Sequence, residues 1–185
     1  NPSRALPMSK RLIVGISGAS GVVLGVRLLE LLRPLPIETH LVMTRSAQIT
    51  LAHETDRKVA DVQALADYHY GPDDIAAAIS SGSFKTLGMI VAPCAMRSLS
   101  EIAYGNTTHL LTRAADVVLK ERRRLVLLPR ETPLHLGHLR AMTAATEAGA
   151  VIAPPVPAFY AQPGSIMDMV DYTLARAMDL FDVDL

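Results

Sequence analysis

Tryptophan is absent from this 185-residue chain, cysteine occurs once, and aromatic residues make up 4%. The single Cys94 has no partner for an internal disulfide, so no oxidising compartment is implied and the cytoplasm is the expected setting. Net charge is missing too. Eighteen Lys and Arg stand against eighteen Asp and Glu, which argues against a protein that coats nucleic acid, a partner that selects a basic excess. No apolar run approaches the roughly 20 residues that span a bilayer, and Asn1 to Lys10 holds two prolines without an apolar stretch of signal-peptide length. Neither nucleic acid nor membrane is an expected partner. Repeats and low-complexity tracts are lacking, which removes solenoid and linker readings. Residues 1–9 read as an expression remnant or disordered start ahead of Met8, and residues 10–185 as one domain, large enough to bury about two thirds of its unfolded surface.

What is present is apolar content, 50% of the chain. It comes in short runs rich in Val, Ile and Leu at Arg11–Ile16, Thr39–Met43, Leu87–Ala92, Leu125–Leu128 and Ala150–Ile152. Runs of that kind suit strands covered on both faces. Between them lie helical patterns. Val22 to Arg33 spaces Val22, Val26 and Leu29 along one face before Pro34 stops it, and Thr108 to Arg122 does the same with Leu111, Ala115, Val118 and Leu119. Alternating strands and helices predict an α/β fold with a parallel sheet, whose ligands bind beyond the carboxyl ends of the strands. Asp56 to Ser83 breaks the rhythm and reads as a loop or lid, with Tyr68-His69-Tyr70-Gly71-Pro72 as a turn.

Chemistry-bearing residues follow the strands. Gly15-Ile16-Ser17-Gly18-Ala19-Ser20-Gly21 runs into the first helix, where glycines allow a tight turn, free amides favour an anion, and Ser17 and Ser20 add hydroxyls. It matches neither the dinucleotide fingerprint nor a Walker loop, and a plain turn with a serine cap remains the alternative. Thr44 heads the next helix as a cap with or without a ligand. Glu54 is either a general base or a solvated helix-end acid. In Pro93-Cys94-Ala95-Met96-Arg97-Ser98, Pro93 is expected to end the strand and the following amides to receive a ligand's oxygens. Cys94 reads as a packed residue rather than a nucleophile.

The stretch from Arg113 to Arg130 concentrates six cations, Lys120 among them, against Asp116 and Glu121. Either this is a solvated face, or Arg130 with the adjoining Glu131 holds and protonates a phosphate beyond the strand at 125–128. Further on, Pro154-Pro155-Val156-Pro157 stiffens the approach to Phe159 and Tyr160, and Arg176 lies in the last helix. No histidine spacing fits a metal site: His135 and His138 lack a third ligand, and His109 is alone.

Gly-Ala-Ser-Gly at 18–21, His-Glu-Thr-Asp at 53–56, Pro-Cys-Ala-Met-Arg-Ser-Leu at 93–99, Arg-Ala-Ala-Asp-Val-Val-Leu-Lys-Glu at 113–121, Leu-Pro-Arg-Glu-Thr-Pro-Leu at 128–134 and Pro-Ala-Phe-Tyr at 157–160 resemble the UbiX-type flavin prenyltransferases, in the branch named after the phenolic acid decarboxylases. The resemblance covers Lys10 to Phe181. It implies a Rossmann-like, flavodoxin-type three-layer sandwich in a single flavoprotein domain. It further implies transfer of the dimethylallyl group from dimethylallyl phosphate to N5 and a neighbouring ring carbon of reduced FMN, with prenylated FMN passing to a UbiD-type decarboxylase, in a homo-oligomer, commonly a dodecamer. Carried over by position, Gly18, Ala19, Ser20, Thr44, Ala95, Met96, Arg97, Ser98 and Arg130 would meet FMN. Arg113, Lys120, Arg130, Tyr160 and Arg176 would surround the dimethylallyl phosphate, while Ser20, Glu54, Glu131 and Lys120 would be catalytic. Ala95 stands where the family usually has serine. Two other readings of the same fold are an FMN-dependent cysteine-type decarboxylase, disfavoured by the loop at 93–98, and a non-catalytic FMN-delivery subunit, which has no use for a second phosphate site.

Overall fold

The computed structural model describes residues 10–185, so the reading of residues 1–9 lies outside the described residues. The strands are β1 (Arg11–Ile16), β2 (Glu38–Met43), β3 (Tyr68–Tyr70), β4 (Gly88–Cys94), β5 (Arg124–Pro129) and β6 (Val151–Ile152). The helices are α1 (Val23–Leu32), α2 (Arg45–Glu54), α3 (Val59–Gln63), α4 (Met96–Ala103), α5 (Leu110–Lys120), α6 (Leu136–Glu147) and α7 (Ile166–Asp179). All strand pairs are parallel, in the order β3-β2-β1-β4-β5-β6. Without the three-residue β3 this is the flavodoxin order, and β3 extends it to the six-strand dinucleotide-binding order.

Side-chain alternation along the strands produces two cores. Leu12, Val14 and Ile16 of β1, with Ile90, Ala92, Val126 and Leu128, pack against α1, α2 and α7. Ile13, Met89, Val91, Leu125 and Leu127 face the other way, onto α4, α5 and α6. With both faces covered, the strands are apolar throughout, as a three-layer sandwich requires. The chain moves to opposite sides of β1 when it forms β2 and β4, so a crevice opens at the carboxyl ends of β1 and β4.

Several expectations need correction. Tyr68-His69-Tyr70 is a strand, not a turn: His40 on β2 stacks on Tyr68 with ring centroids 4.8 Å apart and places Nδ1 2.8 Å from the Tyr70 hydroxyl. These cross-strand contacts override the turn signal of Gly71-Pro72. The stretch 56–83 is a largely exposed loop interrupted by α3, β3 and the turn Ala78–Ser80, which anchor it through the buried Val62, Ala77 and Ile79. Finally, Pro93 does not end its strand. β4 reaches Cys94 because the ladder shifts register between Val91 and Cys94, where a missing N–H costs no pairing. The second predicted helix also stops earlier, at Lys120, and Arg122 turns the chain with a φ of 58°.

Candidate active site

Ser17 ties the ends of β1 and β4 together. Its hydroxyl donates to the Pro93 carbonyl at 2.8 Å and accepts from the Ala95 amide at 2.6 Å. It is fully buried. Neither Ser17 nor the Ala95 amide is therefore free for a ligand, contrary to the expectation for both. Above this junction α2 lies close against the following loop, and a Cβ on Gly18 would sit 2.4 Å from Ser46 Cβ. Glycine is the residue that permits that approach.

The amides expected to receive a ligand's phosphate at the start of α1 are taken by the protein itself. Glu54 Oε1 accepts from the Gly21 and Val22 amides at 3.0 and 3.3 Å, and Oε2 accepts from the Ser20 hydroxyl at 2.6 Å. Burial by itself raises the carboxyl's pKa. The bonds from Ser20, Gly21 and Val22, with the Arg130 charge, outweigh it and hold Glu54 below the usual glutamate range. Glu54 is thus a carboxylate at neutral pH, joined to the Ser20 hydroxyl.

Beside the pair, Gly18, Thr44, Ala95, Arg97 and Ser98 line a cleft of about 420 Å³, together with Arg45, Ser46, Pro72, Asp73 and His109. Thr44 caps α2 by accepting from the Ala47 amide at 3.0 Å, which leaves its own proton to donate. At the start of α4 no side chain caps the helix, so the first-turn amides at Met96, Arg97 and Ser98 remain donors for an anion. His109 Nδ1 is buried in the wall without a hydrogen-bond partner among the described residues. Hydroxyl donors, uncapped amides and an orphaned ring nitrogen suit the phosphate and polyol of a flavin nucleotide. Ala19, at the loop apex next to Gly18, does not line the cleft. Cys94, beneath it, is fully buried and its thiol is pushed up to about 12, so it packs and does not react.

A second group of candidates lies outside the lining of this cleft. Arg130 follows β5, its amide donating to the Cys94 carbonyl at 3.4 Å, and the exposed Glu131 accepts from the Thr132 amide at 3.1 Å. Arg113, in the first turns of α5, pairs with Asp116 at 3.7 Å. Arg176 lines a cavity of about 180 Å³ with Leu128, Pro154, Val156 and Tyr172, and Tyr160 shares a hydroxyl–hydroxyl bond with Tyr172. Lys120 does not join them. It ends α5 at the amino end of β5, paired with Glu121 at 2.8 Å, whereas Arg130 lies beyond the carboxyl end. Six residues of strand put the two roughly 20 Å apart. The other cations of that stretch share its edge: Arg122, Arg123 and Arg124 line a shallow concavity of about 590 Å³ there.

Sequence reasoning misses Tyr172 and His109. Metal-ligand spacing is the wrong criterion for His109, whose position at the head of a helix beyond the strand ends is the signal that could have found it.

A parallel sheet of this order with an anion-favouring cleft at the β1/β4 switch point defines a nucleotide-binding flavoprotein, and the Flavoprotein family model matches residues 2–178. Within that class the chain belongs to the UbiX flavin prenyltransferase family. It is 62% identical over 177 residues to flavin prenyltransferase UbiX of Escherichia coli K12, covering 95% of this chain and 94% of that one. Among solved structures, AnUbiX (PadA1) in complex with FMN and dimethylallyl pyrophosphate matches with a TM-score of 0.93 and 53% identity over 95% of this chain and 94% of that one. A dodecameric FMN-dependent UbiX-like decarboxylase from Escherichia coli O157:H7 matches with a TM-score of 0.92 and 51% identity, covering 94% and 96%. No helix among the described residues is long and apolar enough to cross a membrane.

Proposed function

We propose that this chain transfers the dimethylallyl group of dimethylallyl phosphate to reduced FMN and releases prenylated FMN for a UbiD-type decarboxylase. The observation that carries the reading is the Ser20–Glu54 pair, 2.6 Å apart at the rim of the cleft. Reduced FMN, seated along Gly18, Thr44 and the start of α4, would supply the nucleophilic ring atoms. Bonding at N5 would release the N5 proton, and closing the second bond would consume the C=C bond of the transferred group, which gains a proton at its inner carbon while the ring carbon loses one. Ser20 Oγ accepts the ring-carbon proton while passing its own to Glu54, a carboxylate already oriented by the Gly21 and Val22 amides. On the other side, the allylic C–O bond breaks and the phosphate leaves with the electron pair. Arg130, Arg113, Tyr160 and Arg176 stabilise its oxygens and Glu131 protonates it.

Lys120 serves this phosphate only from a neighbouring copy of the chain, because its own copy holds it at the far edge of the sheet. That arrangement agrees with a homo-oligomer like the dodecameric relative. We place the enzyme in the cytoplasm, as one single-domain flavoprotein over residues 10–185, a setting that suits a lone buried thiol.

The test is anaerobic incubation of the full chain with reduced FMN and dimethylallyl phosphate, followed by mass measurement of the flavin. Gain of one five-carbon unit is expected. An unchanged flavin mass with folded protein overturns the proposal.

A further inference from the structure

Tyr172, on α7, is the least expected member of the second group. Nothing in the sequence marks it, yet it sits between two residues assigned to the phosphate. Its ring stands edge-to-face with Tyr160, centroids 6.0 Å apart and planes at 89°, and the two hydroxyls are hydrogen-bonded. Four residues on, and so on the same face of α7, comes Arg176. Tyr172 and Arg176 line the same small cavity against Leu128, Pro154 and Val156.

Tyr160 itself is poorly held. It belongs to the short turn Phe159–Ala161 that follows the proline-rich segment, it is 80% exposed, and Tyr172 provides its hydroxyl's hydrogen bond. An exposed tyrosine on one helical turn samples several rotamers, so freezing its hydroxyl for a ligand costs entropy unless something orients it beforehand. A perpendicular ring and a hydroxyl partner do that.

From this geometry we infer that Tyr172 is a positioning residue for the allylic phosphate: its hydroxyl donates to Tyr160, which turns the Tyr160 proton outward as a donor to a phosphate oxygen beside Arg176. The inference rests on the phosphate assignment of the preceding section. Two tyrosine hydroxyls share one hydrogen bond with one proton, and the acceptor's own proton stays free. A phosphate oxygen only accepts, so once Tyr160 donates to it the Tyr160 oxygen is left to accept from the Tyr172 hydroxyl. Arg176 donates to Asp179 at 2.6 Å through Nη1 and retains other N–H groups for the phosphate. The substrate so recognised is a phosphate ester.

The experiment is steady-state turnover of the full chain with reduced FMN and dimethylallyl phosphate, comparing wild type, Tyr172→Phe, Tyr160→Phe and the double variant. Loss of one net hydrogen bond is expected to raise KM for dimethylallyl phosphate about five- to tenfold in each single variant, with FMN affinity unchanged. The double variant should be no worse than either, because both act through one bond. As a check independent of any variant's folding, wild-type protein carrying isotope-labelled tyrosine should show the Tyr172 ring resonance shifting on addition of dimethylallyl phosphate. An unchanged KM in Tyr172→Phe, additive losses in the double variant, weakened FMN binding, or a static Tyr172 resonance each overturn the inference. A wild-type chain that leaves the flavin unaltered sinks the functional reading itself. A raised KM in Tyr160→Phe alone sinks only the role of Tyr172.

Discussion

The two ends of the parallel sheet differ in a way that the distribution of charge misrepresents. At the amino ends, Lys120, Arg122, Arg123 and Arg124 crowd around the start of β5, and Arg123 is spent on the Gly82 and Phe84 carbonyls at 2.7 and 3.1 Å. At the carboxyl ends, the cleft sets glycine, serine, threonine and backbone amides among Arg45, Asp73, Arg97 and His109. There a single carboxylate, Glu54, takes the place that a count of charges reserves for a ligand's phosphate. Density of charge along a sequence does not locate a site. Strand direction does, because helix amino-termini and loop amides gather only at the carboxyl edge.

The sharpest way to break this comparison is Glu54→Gln, which keeps an acceptor for Gly21 and Val22 but cannot take a proton. Turnover should fall about a hundredfold or more while FMN affinity changes little, as measured by single-turnover kinetics and flavin titration. Retained turnover would remove the carboxyl edge from the proton chemistry. Next in size, Lys120→Ala and Arg130→Ala should each lose about ten- to a hundredfold in turnover. Subunits of the two variants, dissociated and reassembled together, should regain part of it, since some mixed sites hold both cations. No regain on mixing would confine the amino edge to a structural role.

Gly18→Ala should cost about 1–3 kcal/mol in denaturant unfolding, because the new Cβ meets Ser46 Cβ at 2.4 Å and its backbone at 3.0 Å. Stability should also respond to acid through Glu54. Its folded pKa lies below the ordinary glutamate value, so its contribution is complete above that value and is lost as pH falls through the folded one. Urea midpoints across acidic pH should show this loss in wild type and a smaller one in Glu54→Gln. The smallest effect belongs to the amino edge. Arg122→Gly, at a φ of 58°, should leave turnover intact and raise stability by up to about 1 kcal/mol in the same unfolding assay.

Most strands and the cap at Thr44 were legible because they rest on local signals: apolar runs, helical spacing, a hydroxyl ahead of a helix. β3 was illegible for the opposite reason. Tyr-His-Tyr before Gly-Pro resembles a turn, and only His40, 28 residues earlier, makes it a strand. Within the site, Ser20 and Glu54 could each be nominated singly, but not their bond, which closes across 34 residues. Ser17, a candidate for a ligand on its sequence, is a clamp on Pro93 and Ala95, contacts 76 and 78 residues away.

By itself, the amino-acid sequence determined the layered α/β class, the loop after β1, the starts of α2 and α4, and the resemblance that pointed to a flavin. These depend on residues close together in the chain, where backbone conformation and side-chain period are decided. Only the tertiary structure decided that Glu54 occupies the start of α1, that Tyr172 stands behind Tyr160, and that Lys120 is a full strand length from Arg130. Those facts follow from strand order and direction, which arise from packing two apolar faces of one sheet and are written in no single stretch of the chain.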